Sequence, residues 1–175
     1  ICLLLYRQEH FTILINTWRR PDLLKKSVQH YSLCPNVDTI RIVWSESTDP
    51  PSEPLLAYLQ SSVRAASHKL KTRHTIKLKI DMHNEDNLNT RFKPLEDIAT
   101  NAIFSVDDDV VVDCDTLAFA FNVWCSAQES MVGFVPRMHW LQQDVCMFFI
   151  ESCFGIQSKR TNAAEIPYMV VCVET

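Results

Sequence analysis

The sequence predicts an α/β fold, a single domain on a mainly parallel sheet with helices on both faces. Three observations predict it. Apolar, β-branched runs recur at residues 11–17, 39–44 and 102–106, and uninterrupted runs of this kind suit strands buried on both faces. Stretches with helical spacing fall between and after them, giving the order βαβαβ, loop, αβαβ, the alternation that builds a parallel sheet. The third run stops on three consecutive carboxylates, Asp107, Asp108 and Asp109. Ligands of open α/β sheets bind beyond the carboxyl ends of the strands, where this cluster falls.

The first strand, FTILINT, ends on Asn16 and Thr17, followed by Trp18, Arg19 and Arg20. Pro21 suits the first position of a helix, and Asp22 places acid in its first turn. Leu24, Val28 and Tyr31 repeat at helical spacing, so the helix is expected over 21–33, closed by Cys34, Pro35 and Asn36. Residues 39–44, TIRIVW, form the second strand, with Ser45 and Glu46 just past its end. Pro50, Pro51 and Pro54 mark a loop, and Leu55, Leu56, Leu59 and Val63 mark a helix over 52–67. A basic turn follows at 69–73. Residues 75–81 alternate, with Ile76, Leu78 and Ile80 on one face and Lys77 and Lys79 on the other, as in a half-exposed edge strand. A polar loop over 82–90 leads to Arg91 and Phe92, and a short helix is expected over 94–101. After the acidic strand, Asp115 is expected to cap a helix over 116–128 that buries Leu117, Phe119, Ala120, Val123 and Trp124. Residues 131–135, MVGFV, read as a further strand.

Composition excludes several function classes. The net charge is -4, so no basic field favours nucleic acid. Only two glycines are present, Gly133 and Gly155, so neither a P-loop nor a dinucleotide fingerprint can form. Any nucleotide must be held by side chains and a metal. The seven cysteines contain no CxxC pair, which speaks against structural zinc. Their scatter suits buried free thiols or a few disulfides, and the odd count leaves at least one free or paired outside the chain. Residues 1–10 open on an apolar stub far shorter than the ~20 residues a bilayer span requires.

Three adjacent carboxylates repel one another, and burying them unpaired costs several kcal/mol per ion. A divalent cation relieves that cost, and hard oxygen ligands suit Mg²⁺ or Mn²⁺. A solvated acidic turn is the alternative, but the block sits between two apolar runs. Asn16, Thr17, Arg20, Ser45, Glu46 and Arg91 also follow strand ends or loops on the same predicted edge. Arginine pairs with phosphate in bidentate fashion, so the set describes a nucleotide-diphosphate cleft built without glycine. His139, beside Arg137 and Trp140, reads as structural, as do Trp18 and Trp44 at the strand ends.

The segments FTILINTWRRPDLL, IRIVWSES, EDNLNTRFKPLEDIATNAIFSVDDDVVV and FAFNVWCSAQESMVGFVPRMHW resemble the exostosin-like glycosyltransferases of family 64. Within that family they look closest to plant glycosylinositol phosphorylceramide mannosyltransferases. The resemblance covers residues 11–141, between a stub at 1–10 and a tail at 142–175 with no correspondence. It implies a GT-A fold, incomplete at the C-terminus, with a DxD metal site using Mn²⁺ or Mg²⁺. It also implies a nucleotide-sugar donor, either GDP-mannose or a UDP-sugar, a glycan or glycolipid acceptor, and transfer with retention of configuration. Asn16, Thr17 and Arg20 then look like base contacts, and Ser45 like a second nucleotide contact. Arg91, in Asn89-Thr90-Arg91-Phe92 where relatives read NNRF, looks like the phosphate arginine. Asp107 and Asp108 look like ribose and sugar contacts, and Asp109 like the metal ligand. The family's late carboxylate has no counterpart in the tail, so no catalytic residue is assigned. Golgi or endomembrane residence follows by resemblance. Two alternatives stand beside an active transferase. One is an inactive nucleotide-diphosphate-binding remnant that associates with a full-length homologue. The other is a Mg²⁺-binding regulatory domain, disfavoured by the NTRF and FVPRMHW motifs.

Overall fold

A computed structural model describes residues 10–46, 49–70, 75–84, 88–128, 132–133 and 169–173. The elements in chain order are β1 (Phe11–Thr17), α1 (Pro21–Tyr31), β2 (Val37–Trp44), α2 (Glu53–Leu70), β3 (Lys77–Met82), a 3-10 turn (Leu88–Phe92), β4 (Ala102–Asp107), α3 (Cys114–Ser126) and β5 (Met169–Val173). The strands form one sheet in the order β3-β2-β1-β4-β5, and every pairing is parallel. The α/β class read from the sequence is the class observed. From β1 the chain builds outward through β2 to β3, then returns to lay β4 on the other side of β1. The β1/β4 boundary is therefore a topological switch point, where an open sheet leaves a crevice beyond its carboxyl ends.

One face of the sheet holds the main core. Phe11, Ile13 and Ile15 of β1, Ile40 and Ile42 of β2, and Phe104 and Val106 of β4 alternate onto it, as the period-2 geometry of a strand requires. Leu24, Val28 and Tyr31 of α1, Leu55, Leu59 and Val63 of α2, and Leu117, Ala120, Phe121 and Trp124 of α3 close the same cluster. Phe11 lies at its centre, 4.7 Å from the ring of Phe104 and 5.2 Å from that of Phe121. Helices were expected on both faces, but among the described residues all three pack on this one.

The other face carries Leu14, Val43 and Ile103, covered by Leu95 and Ile98. These come from the segment read as a helix over 94–101, which is not helical. Asp97 there has φ 54°, a left-handed backbone that a helix cannot contain. Arg41 is also buried on this side, donating from Nε to Asp81 Oδ2 at 2.8 Å and from Nη1 to the Glu96 carbonyl at 2.6 Å. A buried guanidinium needs such partners, and they pin the 94–101 segment across the sheet.

Other boundaries shift modestly. α1 ends at Tyr31 rather than at residue 33, and α2 runs to Leu70. α3 starts at Cys114, with Asp113 rather than Asp115 in the capping position and no side-chain cap bond. Its buried face is Leu117, Ala120, Phe121 and Trp124, one stripe at i, i+3, i+4 and i+7. Phe119 and Val123, expected in the core, are 67% and 40% exposed, because they lie off that stripe. β3 is the half-exposed edge strand the alternation predicts. Val132 and Gly133 show no regular structure. The rest of the predicted 131–135 strand, the stub at 1–9, His139 and most of the tail lie outside the described residues. Within the tail, β5 pairs in parallel with β4.

Candidate functional site: an acidic crevice at the carboxyl end of the sheet

The register places Asn16 of β1 opposite Asp107 of β4, so the two strands deliver their last residues to one point. The ladder runs one step further, as the Asp108 backbone N–H donates to the Asn16 carbonyl at 3.1 Å. Beyond it the chain turns through Asp108 and Asp109 before α3. Each carboxylate meets its own partner. Asp107 Oδ1 accepts from Arg91 Nη2 at 2.6 Å and more distantly from Asn16 Nδ2 at 3.5 Å. Asp108 Oδ2 accepts from Thr17 Oγ1 at 2.6 Å. Asp109 Oδ2 accepts from Arg20 Nη1 at 2.7 Å. The second nitrogen of Arg20, Nη2, lies 2.7 Å from Asp108 Oδ1. That contact is ionic rather than directional, and among the described residues Asp108 Oδ1 is buried without a hydrogen bond.

The local sequence explains this reach. Arg19 adopts φ 54°, a left-handed turn that costs a non-glycine residue on the order of 1–2 kcal/mol. It swings the chain from β1 into α1, with the Arg19 guanidinium 4.8 Å above the Trp18 ring. Pro21 opens α1 as expected, and Arg20 stands in the capping position with no cap bond of its own. A cation at a helix N-terminus is opposed by the helix dipole, and here two carboxylates offset that opposition. Arg91 reaches the site from the 3-10 turn with its side chain only 4% exposed.

Electrostatics follow from the crowding. Burial raises the Asp108 pKa above the ordinary carboxylate value, Thr17 and Arg20 work against that rise, and Asp109 and Asp107 add to it. Partial burial disfavours the Arg20 charge, but the bond to Asp109 and the fields of all three carboxylates outweigh it and raise the Arg20 pKa. Among the described residues three carboxylates face two guanidiniums, which leaves one negative charge over.

The donor set fits a hard divalent cation. The oxygens are anionic, Asp109 keeps 32% of its side chain open to solvent, and Asp108 Oδ1 lacks a hydrogen-bond donor among the described residues. The three carboxylates do not converge as a ready three-ligand cage. Among the described residues the cluster of ligand-type side chains within 4.8 Å of one another is His30, Cys34 and Cys114, and its two sulfurs are joined in a disulfide. One or two carboxylates completed by substrate phosphates is the usual mode for Mg²⁺-like ions.

Of the residues predicted from the sequence, Asn16, Thr17, Arg20, Arg91, Asp107, Asp108 and Asp109 meet in this one constellation. Ser45 does not join it. It lies past β2, buried, with its hydroxyl unpartnered among the described residues. Sequence reading missed the support beneath the acidic loop. Tyr31, fully buried, donates its hydroxyl to the Val110 carbonyl at 3.1 Å and accepts from the Val112 N–H at 3.2 Å. His30 Nε2 donates to the Val112 carbonyl at 2.8 Å, and Cys34 is bonded to Cys114. The last turn of α1 thus grips the loop 110–114 from behind. Tyr31 read only as an apolar position on α1, and nothing in its spacing marks the hydroxyl.

Known proteins bear on this geometry. The model of the glycosyl transferase family 64 domain matches residues 11–165, continuing past residue 141, where the motif resemblance ends. The chain is 52% identical over 130 residues to glycosylinositol phosphorylceramide mannosyl transferase 1 of Arabidopsis thaliana, covering 74% of this chain and 38% of that protein. It is 30% identical to exostosin-like 2 of Homo sapiens, covering 75% and 36%. It is 31% identical to glucosamine inositolphosphorylceramide transferase 1 of Oryza sativa subsp. indica, covering 75% and 16%. The matched part thus spans well under half the length of these curated relatives. The acidic crevice lies inside the matched residues 11–165, and the chain belongs to glycosyl transferase family 64.

Proposed function

We propose that the chain carries the donor-binding half of a metal-dependent, retaining glycosyltransferase. It would move mannose or an N-acetylhexosamine from a nucleotide-sugar to a glycan or glycolipid acceptor. The observation that carries the reading is the convergence of two arginines, Thr17 and Asn16 on Asp107 to Asp109 at the β1/β4 switch point. The more similar of the relatives above is named a mannosyl transferase, at 52% identity, which favours mannose over the amino sugar.

Each residue has a part suited to its chemistry. Asp109, the more exposed carboxylate, offers an oxygen to Mn²⁺ or Mg²⁺. When bound, the metal supplies Lewis-acid neutralisation of the departing diphosphate. Arg91, buried on Asp107, presents a guanidinium suited to phosphate oxygens, and Arg20, expected from the resemblance as a base contact, bonds Asp108 and Asp109 and is assigned to the same oxygens. Asp107 and Asp108 offer acceptors to ribose and sugar hydroxyls. Asn16 and Thr17 fix the floor of the crevice, and Ser45 offers a spare buried hydroxyl to the nucleotide. Residence in the Golgi or endomembrane lumen is in keeping with the Cys34–Cys114 disulfide, since such bonds persist in oxidising compartments. Among the described residues no helix is long and apolar enough to cross a membrane.

A second reading is nucleotide-diphosphate binding without transfer, which the crevice residues by themselves would serve. Transfer also needs donor and acceptor held together, since their proximity supplies much of the barrier reduction. Calorimetric titration with GDP and UDP, each with and without Mn²⁺, tests the shared core of both readings. Mn²⁺-dependent binding of one nucleotide is expected, and it identifies the donor class. Failure of both nucleotides to bind overturns the assignment.

A further inference from the structure

We propose that Arg20 is a displaceable internal cation. It holds Asp108 and Asp109 before the metal arrives, and by moving to the diphosphate it makes metal and nucleotide bind cooperatively. The inference rests on the reading of the crevice as a metal and nucleotide site, and it adds an order and a coupling to that reading.

The two arginines of the site are held differently. Arg91 has a side chain 4% exposed and a 2.6 Å bond to Asp107, so it is a fixed wall. Arg20 is 44% exposed and bridges two carboxylates with its two terminal nitrogens, each at 2.7 Å. One of those carboxylates is Asp109, the residue suited to the metal. A divalent ion on Asp109 and a guanidinium bonded to the same group repel each other at close range. One of them must withdraw. Arg20 can do so, because it stands at a loop-to-helix junction and its side chain makes no cap bond with α1.

Withdrawal needs a destination. A nucleotide diphosphate supplies one, since its oxygens match the guanidinium fork. Withdrawal also frees Asp108 Oδ1 for a new partner, because among the described residues that buried oxygen has only the ionic contact with Arg20 and no hydrogen bond. The metal alone therefore competes with Arg20, whereas the metal together with nucleotide does not. Such coupling is reciprocal, each ligand tightening the other by the same factor.

The test measures Mn²⁺ binding to the full chain from loss of the free-ion electron paramagnetic resonance signal. It is run with no nucleotide, with GDP and with UDP, on the parent chain and on Arg20→Gln and Arg20→Lys. In the parent chain, one nucleotide should tighten Mn²⁺ binding by about tenfold or more, within the usual range of coupling energies. In Arg20→Gln, Mn²⁺ alone should bind about fivefold more tightly, and most of the enhancement by nucleotide should vanish. Arg20→Lys keeps the charge but can bridge only one carboxylate, so it should fall between the two. If Arg20→Gln loses its fold, shown by circular dichroism, the Lys variant carries the comparison. Mn²⁺ binding without nucleotide that is unchanged or weaker in the folded variants, with parent coupling intact, overturns the role of Arg20. Absence of Mn²⁺ binding to the parent chain with either nucleotide overturns the metal site itself, and this inference with it.

Discussion

Tyr31 shows how a single hydroxyl reaches the site without touching it. Its oxygen joins the Val110 carbonyl and the Val112 N–H, two groups of the loop that follows the carboxylates. Tyr31→Phe strands both groups in the interior and should cost about 1–3 kcal/mol by urea denaturation. Burial pushes the Tyr31 pKa up from 10.0 to about 12, with the Val112 bond working against the shift. Between those values the unfolded chain has lost the phenol proton and the folded chain keeps it. The unfolded state then binds fewer protons, so stability is full below about pH 10 and falls as pH rises toward about 12. A loss on the order of 2–3 kcal/mol across that window is expected. Denaturation of the parent chain and Tyr31→Phe at several alkaline pH values checks it, because the variant should lack this share of the slope. At this scale the sequence was legible where charge was concentrated. Asp107 to Asp109 and the two arginines announced themselves by type and position. A tyrosine on an apolar stripe did not, because its bond partners are backbone groups some 80 residues away.

Among the elements, the apolar strands and the helix openings were readable because their signals are local. Pro21 opens α1 as its fixed φ and missing N–H require, and the alternation of β3 matches its edge position. The segment 94–101 misled, since Leu95 and Ile98 at a spacing of three suggest a helical face. They serve instead as two contacts of an irregular strap. α3 was placed two residues late, and its buried stripe was misphased at Phe119 and Val123. The Cys34–Cys114 bridge ties its first residue to the end of α1 across a sequence separation of 80. Pairing among seven cysteines depends on tertiary proximity, which spacing alone does not reveal. Closing so long a loop restricts the unfolded chain, and removing the bridge should lower stability by roughly 2–4 kcal/mol. Guanidinium unfolding of the chain with and without a thiol reductant measures this. Equal midpoints would show that the bridge contributes nothing.

Across the whole molecule, topology converts separate sequence signals into one site. Residues 16, 17 and 20 are distant in sequence from 91 and from 107 to 109, yet the β1/β4 register sets them side by side. That convergence was foreseeable, because parallel strands all present their carboxyl ends to one edge. What topology alone did not foretell was the asymmetry of the layers. All three described helices share one face, while a strap and the Arg41–Asp81 pair cover the other. The crevice therefore rests on a face braced by α1, α3 and a disulfide, with Arg20 44% exposed at its rim.

In the proposed site Asp109 holds the metal, and Asp109→Asn tests that most directly. The substitution keeps the shape of the side chain and removes its charge, and the residue sits at the rim rather than in the core. Nucleotide binding by the parent chain and the variant would be compared calorimetrically with and without Mn²⁺, with circular dichroism checking the fold. An intact fold and loss of the Mn²⁺-dependent share of binding are expected. Mn²⁺-dependent binding that is unchanged in the variant would contradict the metal assignment.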